Sequence, residues 1–301
     1  MSSSEPAEIP VDSSEFDPSQ DRDSRLRRGD KDRYLCALFA PAERRDDLLA
    51  LYDFNLETAR VRDTVSEALV GQLRLKWWYD AMDAVAAGDP PKHPVAEALS
   101  AAVVRHGIDG RQLRDLIAAR AADLDPVQPA DMAALRKYAD DTAGAVARAG
   151  LQILGAAPSP AAEAAAAQVA AAWAYVGLLR AAPHHAPLGR LYLPAEVCAA
   201  HGLASAEALK MRLDKPSPAP LRRAVEQVAA AAADHLAEAR AMGAECPKAA
   251  LPVLLPAVLA DHYLGLLGRC GFDPADLRMS RPGPGPAATL RLAWRAFRRK
   301  F

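Results

Sequence analysis

The stretch Leu179-Arg-Ala-Ala-Pro-His-His-Ala-Pro-Leu-Gly-Arg-Leu-Tyr-Leu-Pro194 decides how this chain is read. It follows a run from Ala161 to Ala174 that is rich in alanine, the strongest helix former, and whose small side chains suit a tightly packed central helix. Pro183 and Pro187 predict a turn after residue 181, because proline lacks the amide hydrogen that a helix interior needs. Beyond them stands the hexad Gly189-Arg-Leu-Tyr-Leu-Pro194.

Outward from this stretch, apolar residues recur at spacings of three and four, the mark of amphipathic helices. Leu48, Leu51, Tyr52, Leu56 and Ala59 predict a helix from Ala42 to about Val65. Leu75, Trp78, Met82 and Val85 predict another over 73–87, stopped at Gly88. A third runs from Pro94 to the His106-Gly107 pair, a residue combination that ends helices. Further helices are expected at 109–124, 130–154, 159–181, 205–213, 218–242, 247–270 and 286–300. Aromatics make up 6% of the chain and β-branched runs are hard to find, so strands have little support. The fold class is therefore all-α, one helical bundle over residues 29–301. Residues 1–28 are polar and acidic with hardly any large apolar side chain, and are expected to be a disordered leader.

Bulk properties exclude several classes of function. Net charge is -1, from 37 basic and 38 acidic residues, so no overall field draws the protein to nucleic acid or to a membrane. Cys36, Cys198, Cys246 and Cys270 form no paired motif, which points to reduced core thiols. The longest apolar run, Ala249 to Ala260, contains Pro252 and Pro256 and falls short of the roughly 20 residues that span a bilayer. No basic-then-apolar leader is visible, so a cytoplasmic protein is expected.

Three segments together resemble the squalene/phytoene synthase family. The first is Leu48-Leu-Ala-Leu-Tyr-Asp-Phe-Asn-Leu-Glu-Thr-Ala-Arg-Val-Arg-Asp63, led in by Phe39 to Arg45; it is similar to the family's Tyr-Ala-Phe-Cys-Arg and Asp-Asp-x-x-Asp pattern. The second is Tyr138 with Ala143-Gly144-Ala-Val146. The third is the stretch from Leu179 to Pro194, which resembles Leu-Arg-Asp-x-x-Glu-Asp and a Gly-Arg-x-Tyr-Leu-Pro ending. The likeness runs over about residues 32–278. It implies a helical bundle of the trans-prenyl synthase type and head-to-head prenyl condensation. Such a reaction ionises a diphosphate, whose leaving charge needs Mg²⁺ held by carboxylates.

Carried over position by position, the first acidic box falls on Ala59, Arg60 and Asp63. The second falls on Ala181, His184 and His185 in place of Asp, Glu and Asp. One carboxylate is left where the two boxes would hold six. Metal charge stabilisation is worth several kcal/mol, and about 1.4 kcal/mol is tenfold in rate, so this loss should cost orders of magnitude. No cofactor or metal is therefore expected; Mg²⁺ would be needed only if prenyl transfer survives through Asp63. Arg60 could instead meet a phosphate directly. The resemblance assigns ligand-binding positions to Arg45, Tyr52, Arg60, Tyr138, Arg180, Arg190 and Tyr192. Of His184 and His185, one could ligate a metal; the plainer reading is a histidine that caps the preceding helix or lines the cavity. Asp53, Glu57, Asp63 and Glu67 read as partners of Arg60 and Arg62 on a solvated face. Trp77 and Trp78 read as core or cavity wall.

The run Leu-Arg-Ala-x-Pro-x-His followed by Leu-Pro is similar to one branch of the family, the complex I assembly factor 6-like branch. That branch implies a role in assembling respiratory complex I (NADH dehydrogenase) through binding a complex I subunit or assembly intermediate. The alternatives are an active prenyltransferase of isoprenoid biosynthesis and a binding module for a prenyl or phosphorylated lipid. Finally, Leu290, Trp294, Phe297 and Phe301 form one apolar stripe amid Arg291, Arg295, Arg298, Arg299 and Lys300. Such a stripe either meets a membrane interface or a partner, which would make the protein peripheral on the inner membrane, or packs on the bundle.

Overall fold

The computed structural model describes residues 22–65, 67–124, 127–213, 215–281 and 283–301; residues 1–21 of the leader expected over 1–28 lie outside them. Residues Arg22–Gly29 are not leader but a helix, α1, which corrects the expected boundary at residue 28. Leu26 is fully buried and Arg25 pairs with buried Asp53. Two anchors thus hold a segment whose composition is otherwise polar.

The helices that follow are α2 (Lys31–Ala37), α3 (Ala42–Ala59), α4 (Ala68–Ala87), α5 (Pro94–His106), α6 (Gly110–Arg120), α7 (Met132–Ala139) and α8 (Ala145–Ile153). A 3-10 turn, Val61–Thr64, leads into α4, and a π-helical turn, Asp140–Gly144, joins α7 to α8. Then come α9 (Pro160–His185), α10 (Ala195–Ala200), α11 (Ser205–Ala208), α12 (Ala219–Ala241), α13 (Leu251–Leu254), α14 (Pro256–Arg269) and α15 (Pro286–Phe297). No strand occurs among the described residues.

Local chemistry sets the ends. Asp30, Asp109, Asp131 and Ser159 each accept a backbone N–H in the first turn of the helix they cap. The expected stop at His106-Gly107 is observed, with Gly107 at φ 63°. Pro183, by contrast, does not end α9, which continues to His185. Its missing amide costs one hydrogen bond in the last turn, where the helix is about to stop anyway. The expected helix at 247–270 is divided at Pro252 and Pro256 into a 3-10 turn, α13 and α14.

Helix α9 is the centre of the bundle, packed against α8, α12, α14 and the π turn. The buried face of its first half is rich in alanine (Ala162, Ala165, Ala166, Ala171, Ala172), which lets neighbouring backbones come close, and further along it carries Tyr175, Val176 and Leu179. Helix α3 is buried for most of its length through Leu48, Leu51, Tyr52 and Phe54. Trp78 is in the core against Phe54, with ring centroids 5.2 Å apart. Cys36, Cys198 and Cys270 are buried and Cys246 half-buried, all four free. Two stretches, Pro160–Leu188 and Lys248–Arg269, are long and apolar enough to cross a membrane by length and composition. More than half of each is buried inside the bundle, so they are core helices here.

The apolar stripe of α15 is split. Phe301 is buried, whereas Leu290, Trp294 and Phe297 face out; the face that packs on the bundle is Ala288, Leu292 and Ala296. The acidic residues of α3 also differ from expectation. Asp53 is buried, and burial followed by the charge of Asp53 raises the pKa of Glu57. They point inward because α1 covers that side and brings Arg25 to them, a contact that spacing within α3 does not reveal.

Candidate functional site

The segments read as the two degenerate boxes approach each other, since the charge of Asp63 acts on the His185 imidazole. Asp63 is carried on the 3-10 turn after α3, and the second box lies in the last turn of α9. After His185 the chain makes a 3-10 turn, and Gly189 reverses it at φ 72°, a conformation that favours a residue without Cβ. The reversal is held by Arg190 N–H donating to the His185 carbonyl at 3.1 Å. It sends Arg190 back into the protein, where the guanidinium is buried and Nη2 donates to Asp63 Oδ1 at 2.7 Å. Arg190 thus sits on the one carboxylate that survives from the boxes.

Tyr192, two residues on, reaches a buried carboxylate, Asp123. Tyr138 Oη donates to Asp123 Oδ1 at 2.7 Å and Tyr192 Oη donates to the same oxygen. Arg120 lies 3.6 Å from Asp123 Oδ2, donates to Tyr138 Oη at 3.2 Å and to Asn55 Oδ1 at 3.2 Å. Burial, and then the Asp123 charge, push both tyrosine pKa values up, so the hydroxyls stay protonated and donating. The His185 ring lies 5.1 Å from that of Tyr192. Its pKa falls to about 4, through burial first and the Arg190 charge second, so the imidazole is neutral at physiological pH.

Of the positions singled out in the sequence, Asp63, Tyr138, His185, Arg190 and Tyr192 are brought together. Ala59 and Ala181 are half-buried on α3 and α9 and bring no polar atom. Arg60 is exposed beyond the end of α3, and His184 is exposed. Arg45 donates to the Ala40 carbonyl at 3.1 Å, a local contact near the start of α3. Arg180 joins another cluster: it lies 3.5 Å from Asp32 and its guanidinium carbon is 3.6 Å from the Tyr263 ring centroid. Tyr52 lines a hollow with Arg33, Val146, Trp173 and Val253. Another hollow lies between Leu135, Tyr175, Leu179, Arg190, Tyr192 and Val228. Each has room for about one water. Sequence inspection missed Asn55, Arg120 and Asp123, which stand outside the family segments or look ordinary within them. Their only signal was polarity at positions the helical periodicity turns inward.

This donor set does not suit Mg²⁺. Asp63 is taken by a guanidinium, and Asp123 by two phenols and an arginine. Among the described residues no group of three or more His, Cys, Asp or Glu is placed to hold a metal ion. What the arrangement can do is hold α3, α9 and the Gly189–Pro194 segment in register through buried charge-assisted hydrogen bonds.

A family model described as squalene/phytoene synthase matches residues 26–289, and the chain belongs to that family. It is 35% identical over 248 residues to the NADH dehydrogenase (ubiquinone) complex I, assembly factor 6 of Mus musculus, across 82% of this chain and 73% of that protein. The Homo sapiens protein of the same name is 33% identical over the same length and shares of both chains. The fold is that of a crystallised dehydrosqualene synthase in complex with ligand: TM-score 0.76, 20% identity, 92% of this chain and 94% of that one.

Proposed function

We propose that this protein serves the assembly of respiratory complex I by binding a subunit or assembly intermediate, and that it does not transfer prenyl groups. The Arg190–Asp63 pair carries this reading. In a metal-assisted ionisation that carboxylate would face a cation bridging to pyrophosphate; here its partner is a covalently tethered guanidinium. Ala181, His184 and His185 add no opposing carboxylate. The name of the mammalian relatives supports the assembly role, at 33% and 35% identity over most of the chain. The same reading places the protein at the membrane that carries the complex.

Deleting the gene tests the role directly. The expected result is less assembled complex I on native gels and slower NADH-linked respiration; normal levels of both would overturn it. The enzymatic alternative has its own assay, pyrophosphate release from farnesyl diphosphate with Mg²⁺. None is expected. Release that Asp63→Asn abolishes would establish a prenyltransferase instead.

A further inference from the structure

Helix α15 has two apolar faces, and the bundle uses one of them. Ala288, Leu292 and Ala296 are buried against it. Beyond the helix, the Phe301 ring packs beside Gly243, and its backbone carbonyl accepts from Arg240 Nε at 2.9 Å. These contacts fix the rotation of the helix, so the opposite face stays outward. That face carries Leu290, Trp294 and Phe297, which are 72%, 59% and 78% exposed. At about 100° per residue the three fall in one narrow stripe, roughly opposite the buried row. The Trp294 and Phe297 rings stack with centroids 6.1 Å apart, and the Arg298 guanidinium lies 5.6 Å from the Trp294 ring centroid.

Cations border the stripe. Arg291, Arg298, Arg299 and Lys300 are exposed and Arg295 half-buried, and residues 286–301 contain no Asp or Glu. Exposed Arg269 of α14 extends the basic edge: with Arg291 it pushes the pKa of His262 down, after burial. Asp261 of the same helix is paired with Arg240 at 2.6 Å. We infer that this face docks the protein on an anionic lipid bilayer, with Leu290, Trp294 and Phe297 entering the headgroup boundary and the arginines meeting lipid phosphates.

Charge and size select this occupant. A second copy of the chain would set the same cations against each other. A stable protein interface takes about 800 Å² per partner, and one stripe of three side chains supplies a small part of that. A bilayer accepts a wedge of this size, because aromatic insertion and phosphate attraction add. The inference deepens the complex I reading, which already puts the protein at a membrane, by naming the face; vesicle binding and complex I assembly are measured separately, so either can fail alone.

The test is flotation of the full chain with vesicles of phosphatidylcholine, alone or mixed with phosphatidylglycerol. Binding is expected to the mixed vesicles only, with a blue shift of tryptophan emission and release as salt rises from about 0.05 to 0.5 M. Replacing Leu290, Trp294 and Phe297 together by serine should weaken partitioning by about tenfold or more and leave the thermal midpoint unchanged. The pair Arg291→Glu and Arg298→Glu keeps the stripe and should abolish the preference for anionic lipid. No flotation with anionic vesicles at low salt would overturn the proposal, as would equal flotation of all variants. A solution dimer that the serine variant abolishes would assign the face to a second copy instead.

Discussion

Asp123 is the most heavily partnered side chain of the site, accepting from Tyr138 and Tyr192 beside Arg120. Asp123→Ala leaves two phenols without their acceptor and the buried Arg120 guanidinium without its counter-charge, and breaking such a buried pair costs about 3–5 kcal/mol. Urea unfolding should show that loss as a lower midpoint. Asp63→Asn should cost far less, about 1 kcal/mol, because that side chain is 47% exposed and water can take over part of the contact. His185 makes a pH prediction. With its folded pKa at about 4 against an ordinary 6.5, the unfolded chain binds a proton there that the folded chain does not. Stability from this group is therefore complete above about 6.5, falls as pH drops from there to about 4, and is flat below. His185→Gln should shallow the stability-versus-pH curve within that window. His93, His235 and His262 are lowered as well, so some slope should remain. Burial raises Asp32 and Glu57, which act the other way as acid is added.

Among elements, α8 is placed by a glycine. A Cβ on Gly150 would sit 2.8 Å from Val253 Cγ2 of α13 and 3.4 Å from Leu48 Cδ1 of α3. Gly150→Val should therefore lower stability by about 2 kcal/mol, measured by urea midpoint, since Val253 and Leu48 are both buried in the core and have little room to give way. Helix α1 gives the complementary test. Leu26→Ala should cost about 2–4 kcal/mol if α1 is core rather than leader, whereas a change in a detached segment would cost almost nothing. The π turn at Asp140–Gly144 separates two roles along one continuous helical path. Tyr138 before it joins the Asp123 cluster, while Ala143 and Val146 line the hollow beside Tyr52.

Over the whole molecule, arginines occupy carboxylates that a metal ion could otherwise use. Arg25 meets Asp53, Arg180 meets Asp32 and Arg190 meets Asp63, each pair joining elements far apart in the chain. A ligand raises the thermal midpoint only if it binds the folded state better than the unfolded one. Millimolar Mg²⁺ should thus leave the midpoint where a chelator leaves it, as read by differential scanning calorimetry. A Mg²⁺-dependent rise would show that the carboxylates exchange their arginines for metal. The central place of α9 adds an expectation for hydrogen exchange: its amides at 165–179 should be the slowest in the protein.

Much of this could be read from residue order alone. Periodicity in α3 and α4 marked those helices, because a helix buried on one side must repeat its apolar residues every three or four positions, and alanine content marked α9. Ala59, Arg60, Ala181, His184 and His185 likewise exposed the missing carboxylates, since ligand chemistry belongs to residue type. What replaces those ligands was not legible. Arg190 and Asp63 are 127 residues apart, and Tyr192 and Asp123 are 69 apart. No local spacing encodes such a pair; it exists only once α9 and the Gly189 reversal lay the two segments side by side. The same holds for α15. Its sequence marked Leu290, Trp294, Phe297 and Phe301 as one apolar stripe, and a helix in isolation has no inside. Packing against the bundle buried Leu292 and left Trp294 and Phe297 to the solvent.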